Sequence, residues 1–267
     1  MSALSGKTAL VTGSVQGIGL AIAEVLAQAG ARIAVHGLAE PDVARDACDR
    51  LRECGAEDIR FFGGDLADPD AIETLMAAVA GWGGADILVN NAGIQHTASL
   101  AEMPRERWDS IVAINLSAAF HTMRIALPIM ATRGYGRVVN IASVHGLVGS
   151  PAKAPYVAAK FGLVGLSRVA ALEYAAAGDR AKGGVTVNCI CPGWTDTAII
   201  APQIEARAAA HGGDRDAGIA ELLAEKQPSR RLSEPREIGS LALWLCAPIA
   251  HNVTGTAIPI DGGWTAQ

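Results

Sequence analysis

The sequence predicts an α/β domain whose parallel sheet is doubly wound, with about seven strands and helices on both faces. Three observations carry this expectation. Short apolar runs alternate with amphipathic stretches along the chain, the pattern of successive βαβ units. The runs are near-continuously apolar, as in Val185–Ile190, which suits strands covered on both faces. No repeat and no Pro/Ser-rich linker divides the 267 residues, so one domain is expected over 1–267.

The elements follow in order. Lys7–Thr12 is an apolar run that ends at glycine, and Gly17–Ala29 is helical, with Ile18, Ala21, Ile22, Val25 and Leu26 on one face. Ala31–Val35 is the second strand, and Pro41–Glu53 is a helix with charge on its outer face. Ile59–Phe62 is the third strand. Asp68–Val79 is a helix opened by an Asp cap with Pro at the next position. Ile87–Val89 and Arg137–Ile141 are the fourth and fifth strands, residues 105–132 and 156–177 are long helices, and Val185–Ile190 and Ala257–Ile260 complete the sheet. The stretch 194–229 interrupts the alternation, as lids and binding loops do. Gly212 and Gly213 break it into two short helices and suggest a hinge. The polar, glycine-bearing stretch 177–184 is expected to lie away from the chemistry.

Composition narrows the function classes. Half the residues are apolar, net charge is −5, and basic clusters such as Arg230–Arg231 are short, so no nucleic-acid surface is expected. The five cysteines have neither CxxC nor Cys/His ligand spacing, so no metal site is expected. Their odd number and spacing suit a reducing compartment. No signal-like segment opens the chain, and no run approaches the roughly 18–20 apolar residues of a membrane span. A cytoplasmic protein without membrane partners is expected.

The most informative local feature lies between the first strand and the first helix, in Thr12-Gly13-Ser14-Val15-Gln16-Gly17-Ile18-Gly19. Glycines there allow a tight turn and a close approach of backbone to a pyrophosphate. The following helix N-terminus offers free N–H groups to the anion. This is a Rossmann-type dinucleotide loop with GxxxGxG spacing. Tyr156 and Lys160 stand four apart, on one helical face, where an ammonium would lower a phenol's pKa and make a general base. Ser143 follows the fifth strand, at the sheet end where such folds place ligands.

TGxxxGxG, Asn90-Asn91-Ala92-Gly93, Ser143 and Tyr156-x-x-x-Lys160 together resemble the short-chain dehydrogenase/reductase family, over essentially the whole chain. The resemblance implies hydride transfer between a secondary alcohol and a nicotinamide cofactor. In these roles Tyr156 takes the hydroxyl proton, Ser143 holds that oxygen, Lys160 tunes Tyr156 and binds the nicotinamide ribose, and Asn115 holds a relay water. It implies a cofactor site formed by Gly13, Gln16, Gly17, Ile18 and Gly19, by Leu38, Asp65 and Leu66 at the adenine end, and by Asn91, Ala92 and Gly93 at the adenosine ribose. Tyr156, Lys160, Pro192, Gly193, Trp194 and Thr195 complete it around the nicotinamide. Cofactor choice is read from Ala34-Val35-His36-Gly37-Leu38: no cation awaits a 2′-phosphate, and no acid closes the strand. Glu40 comes late, and Arg32 and Arg45 are badly placed. NAD is the expectation.

Local segments within residues 94–266, among them Ile94-Gln95-His96-Thr97-Ala98 and Asp261-Gly262-Gly263-Trp264-Thr265-Ala266, resemble the branch of that family formed by bacterial dehydrogenases of D-3-hydroxybutyrate. That resemblance implies a carboxylate clamp of Gln95, His145, Lys153 and Gln203, with Trp194 and Trp264 walling the methyl end, and the 194–229 excursion as substrate lid. A small hydroxy or keto acid is then the ligand, and a homotetramer is the family expectation, with helices 105–132 and 156–177 as interfaces. The motifs leave open another secondary alcohol, a longer 3-hydroxy acid, or an NAD-binding protein without catalysis.

Overall fold

A computed structural model describes residues 3–56 and 58–266. Seven strands form one sheet, with every pairing parallel: β1 (Thr8–Val11), β2 (Arg32–Gly37), β3 (Ile59–Gly63), β4 (Ile87–Asn90), β5 (Tyr135–Ile141), β6 (Gly184–Pro192) and β7 (Ala257–Ile260), in the spatial order 3-2-1-4-5-6-7. The order reverses between β1 and β4. In such a sheet the ligand crevice lies outside the carboxyl ends of the strands at that point. β1 and β4 are buried throughout and β6 from Val185 onward, as their largely apolar sequences suit.

The helices are α1 (Gly17–Gln28), α2 (Pro41–Glu53), α3 (Pro69–Gly81), α4 (Arg105–Val112), α5 (Ala118–Arg133), α6 (Ala154–Tyr174), α7 (Ala201–Ala208), α8 (Arg215–Lys226) and α9 (Pro235–Cys246). Start signals act as their residue types dictate. Asp68 caps α3 by accepting from Asp70 N–H, and Asp214 caps α8 by accepting from the N–H groups of Asp216 and Ala217. Gly212 adopts φ +65 just before that cap, so the break between α7 and α8 falls where the glycines place it. One core cluster packs α1, α2 and α9 on one face of the sheet, and a second packs α3, α5 and α6 on the other.

Three expectations need correction. Residues 105–132 are not one regular helix, because a single π-helical turn, Ala113–Ser117, separates α4 from α5. A π turn takes up about one residue more than an α turn, and with helix on both sides of it the stretch reads as one helix. The combined stretch Arg105–Arg133 also contains an 18-residue window of mean hydropathy 1.3, apolar enough by composition to pass for a membrane span. Its inner residues Met123, Ala126, Leu127 and Met130 belong to the core. Finally, α9 has no counterpart among the expected elements, although its signal is in the chain: Glu234 and Glu237 form a capping box around Pro235.

The 177–184 turn meets Gly134 and Tyr135 at the amino end of β5, opposite the crevice. Cys189 and Cys191 are fully buried, and burial pushes their thiols up to about 11 and about 12. They are core groups and not nucleophiles.

Candidate active site

The site begins with the turn after β1. Gly13 has φ +62 and Gly17 φ +58, conformations that other residues rarely adopt. A Cβ on Gly19 would lie 2.3 Å from the Gly13 carbonyl oxygen and 2.4 Å from Asn91 Nδ2, so only glycine lets α1 start this close to the turn. Asn91 holds the turn from β4: its N–H donates to Thr12 Oγ1 at 2.9 Å, and its Nδ2 donates to the carbonyls of Thr12 (2.9 Å) and Gly13 (3.1 Å). Among the expected cofactor residues, Gly19 is the one that supports the turn without lining the cavity.

His36 ties the other side of this turn. It is 2% exposed. Its Nδ1 accepts the Gly13 N–H at 3.3 Å, and its Nε2 lies 3.2 Å from the Gly64 carbonyl. That pairing fixes a neutral ring with the proton on Nε2. Burial pushes its pKa down to about 4, with the Gly64 bond opposing. The acid missing from the end of β2 also has a steric reason: a Cβ on Gly37 would lie 2.9 Å from Val15 Cγ1. Neither His36, Gly37 nor Val15 is marked as a site residue by the sequence motifs, because their roles depend on the β1–β2–β3 register. Arg32 pairs with Asp58 at the far end of β2, and Arg45 pairs with Asp42 on α2, so neither supplies a cation here.

The catalytic candidates converge from β5, α6 and the π turn. Ser143 is extended and opens a short turn at Val144–Gly146, where its Oγ accepts the His145 N–H at 3.2 Å and keeps its own proton free to donate. Hydrogen bonding with Ser143 lowers the Tyr156 pKa, but burial outweighs it and the net direction is upward. This corrects the expectation of a lowered phenol. Lys160 Nζ donates to the Ile141 carbonyl at 2.7 Å and stands 5.6 Å from the Tyr156 ring centroid. Burial of Lys160 pushes its own pKa down to about 8. Asn115 is in the π turn. Its amide exchanges two 2.9 Å bonds with the Ile94 backbone, so it pins the loop after β4. Asn115 and Lys160 both line a small cavity of about 10 Å³, room for one water.

Beyond Tyr156 the wall is aromatic. His145 meets the rings of Tyr156 (6.1 Å between centroids) and Trp264 (5.4 Å) edge-on, and Trp264 meets Trp194 at 5.4 Å. Lys153, 6% exposed, directly precedes α6 and donates to Gln203 Oε1 on α7 at 3.4 Å. Burial and the charges of Lys226 and Arg207 push it down to about 8. Burial, with the charges of Lys153 and Lys226, holds His145 at about 4. Three of the five buried side-chain polar atoms without a partner among the described residues are gathered here: His145 Nδ1, Trp194 Nε1 and Gln203 Nε2. Gln95 stands at the rim, its Nε2 donating to the Ile199 carbonyl at 3.4 Å.

One cavity of about 410 Å³ runs through all of this, from Leu38, Asp65 and Leu66 past Gln16, Gly17 and Ile18 to Trp264. Ala92, Gly93, Pro192, Gly193 and Thr195 line it between those ends, beside Ser143, Tyr156 and Lys160. Gln203 lies just outside and reaches the site through Lys153. The glycine turn fits a pyrophosphate, and the cavity's length fits a dinucleotide with a small second ligand beside it. Gln227, which the motifs do not single out, accepts the Trp194 N–H at 2.9 Å and so joins the end of α8 to the loop after β6. Among the described residues no cluster of three His, Cys, Asp or Glu side chains has the makings of a metal site.

Comparison with known proteins agrees with this geometry. Residues 7–208 match the family model described as short chain dehydrogenase. The D-beta-hydroxybutyrate dehydrogenase of Cupriavidus necator is 49% identical over 267 residues, covering 99% of this chain and 100% of that one. The protein of that name from Rhizobium meliloti is 45% identical, covering 98% and 99%. Among solved structures, a provisionally assigned gluconate dehydrogenase from Agrobacterium tumefaciens superposes with TM-score 0.87 at 34% identity, over 99% of this chain and 98% of that one.

Proposed function

The chain belongs to the short-chain dehydrogenase family, and on that premise we propose that it interconverts (R)-3-hydroxybutyrate and acetoacetate with NAD. The observation that carries the substrate is the unsatisfied end of the cavity. His145 Nδ1, Trp194 Nε1 and Gln203 Nε2 are buried without partners beside the buried cation Lys153, whose polar contact is neutral Gln203. Buried donors left unpaired are costly, and a carboxylate satisfies several of them together with the cation. Trp194 and Trp264 both line the cavity and offer its small apolar end an aromatic wall. The relatives' names point to the same acid.

A bound nicotinamide supplies the hydride acceptor. Ser143 donates to the substrate oxygen while the Tyr156 phenolate takes its hydroxyl proton, and the carbon bearing that hydroxyl gives up its hydrogen with the electron pair, leaving the ketone. Lys160 stabilises the phenolate, and the small cavity it shares with Asn115 gives the proton an exit through one water. Gln95, His145, Lys153 and Gln203 hold the carboxylate, while α7 and α8 form a lid that excludes water.

NAD is favoured over NADP by the neutral end of β2, where His36, Gly37 and Leu38 give a 2′-phosphate no cation. A solved relative provisionally assigned as a 2-deoxy-D-gluconate 3-dehydrogenase holds NADP, which makes this choice a matter for measurement. A homotetramer is supported by the apolar side chains left exposed on two helices, Phe120 and Ile129 on α5 and Phe161, Val169 and Leu172 on α6. Lys153→Ala tests the substrate reading. The KM for 3-hydroxybutyrate should rise at least about tenfold while the KM for NAD stays within about twofold. An unchanged substrate KM would remove the clamp.

A further inference from the structure

Two ammonium groups stand over two neighbouring tryptophans whose rings are tilted 43° to each other. Lys153 Nζ lies 5.1 Å from the centroid of Trp194, and Lys226 Nζ lies 5.4 Å from that of Trp264. The two indoles are themselves 5.4 Å apart. The cations come from different parts of the fold. Lys153 precedes α6, the helix that carries Tyr156 and Lys160, whereas Lys226 ends α8. Arg207, the other cation acting on Lys153, is matched by Glu225 at 2.6 Å. Among the described residues Lys226 has no carboxylate within salt-bridge distance.

A lysine in the last turn of a helix is favoured by the helix dipole alone. That account gives Lys226 a small effect on stability and none on ligand choice. It also leaves unexplained why a second cation, from α8, lies on the same pair of tryptophans as Lys153. Like charges brought together by closure oppose closure, and an anion between them reverses the sign.

We propose that Lys226 is a specificity-determining residue: it is the lid's own cation, seated on Trp264, and it joins Lys153 in holding the substrate carboxylate, so that α8 closes on anionic substrates in preference to neutral alcohols of the same shape. This rests on the hydroxy-acid reading above and adds a residue that reading does not use. The chemistry recognised is a short monocarboxylate. Gln227, the next residue, accepts from Trp194 N–H, so seating Lys226 also positions the loop beside the nicotinamide pocket.

The test compares wild type, Lys226→Gln and Lys226→Arg on D-3-hydroxybutyrate and on its neutral methyl ester. Lys226→Gln should raise the KM for the acid about tenfold and cut the acid-over-ester preference by a similar factor, with thermal midpoint and KM for NAD near wild type. Lys226→Arg should recover most of the preference. Equal losses on acid and ester, or an unchanged acid KM, would overturn the proposal. If wild type fails to turn over the acid, the substrate reading fails, and the lysine is judged on butyrate binding to the protein–NAD complex, read by tryptophan fluorescence. Weaker butyrate binding in Lys226→Gln then upholds the proposal, and equal binding overturns it.

Discussion

Lys160 Nζ is held 2.7 Å from the carbonyl oxygen of Ile141, the last residue of β5. That bond fixes the ammonium at the sheet end, behind Tyr156, and burial leaves it with a pKa of about 8. A base whose folded pKa is depressed loses its charge as pH rises through that value. Tyr156 moves the opposite way, upward by burial. Lys160→Ala should lower kcat/KM for oxidation by about 10²–10⁴ and displace the pH profile to the alkaline side, because the phenol loses the cation that favours its ionised form. Tyr156→Phe should lose a comparable factor at every pH. Steady-state profiles between pH 6 and 10 check both, and full turnover by Tyr156→Phe would show that another group is the base.

Val15 and Gly37 form the second relationship with a measurable consequence. A side chain at 37 would enter the space of the Val15 methyls. Gly37→Asp alone should raise the KM for NAD severalfold, although an acid near the end of β2 ordinarily favours NAD. Val15→Ser combined with Gly37→Asp should restore NAD binding and lower the NADP-to-NAD preference. A single Gly37→Asp variant that binds NAD better than wild type would show that Val15 yields without cost.

Stability should fall with acid through His36. Its pKa drops from 6.5 when unfolded to about 4 when folded, so between these values the unfolded chain binds more protons. Stability is full above about pH 6.5 and declines as pH falls to about 4, by about 3 kcal/mol for this residue. Urea denaturation across this range measures it. His36→Asn, whose side-chain oxygen takes the place of Nδ1 as acceptor for Gly13 N–H, should flatten that slope. An unchanged slope would place the acid sensitivity elsewhere, with His145 next, since it is also held at about 4.

The sheet was legible because strands such as β6, covered on both faces, are largely apolar along their whole length. The glycine turn was legible because its backbone admits almost nothing else at Gly13 and Gly19. What escaped depends on the third dimension. The π turn that holds Asn115 lies between two helices, so the stretch reads as one helix. His36 and Val15 acquire their roles only when β1, β2 and β3 stand side by side. Lys226 ends α8 and Gln227 caps it; the sequence assigns neither a role, and their contacts with Trp264 and Trp194 supply one. The rise in the Tyr156 pKa was missed for a related reason: the four-residue spacing reports a shared face, whereas the direction of the shift is set by burial.

The most direct test mixes the purified protein with each enantiomer of 3-hydroxybutyrate and either NAD or NADP and follows the absorbance of the reduced nicotinamide. Rapid reduction with the D enantiomer and NAD, and little in the other three combinations, is the result expected from the site as described. No reduction in any combination would contradict the substrate assignment, and equal rates with NADP would contradict the reading of the neutral β2 end.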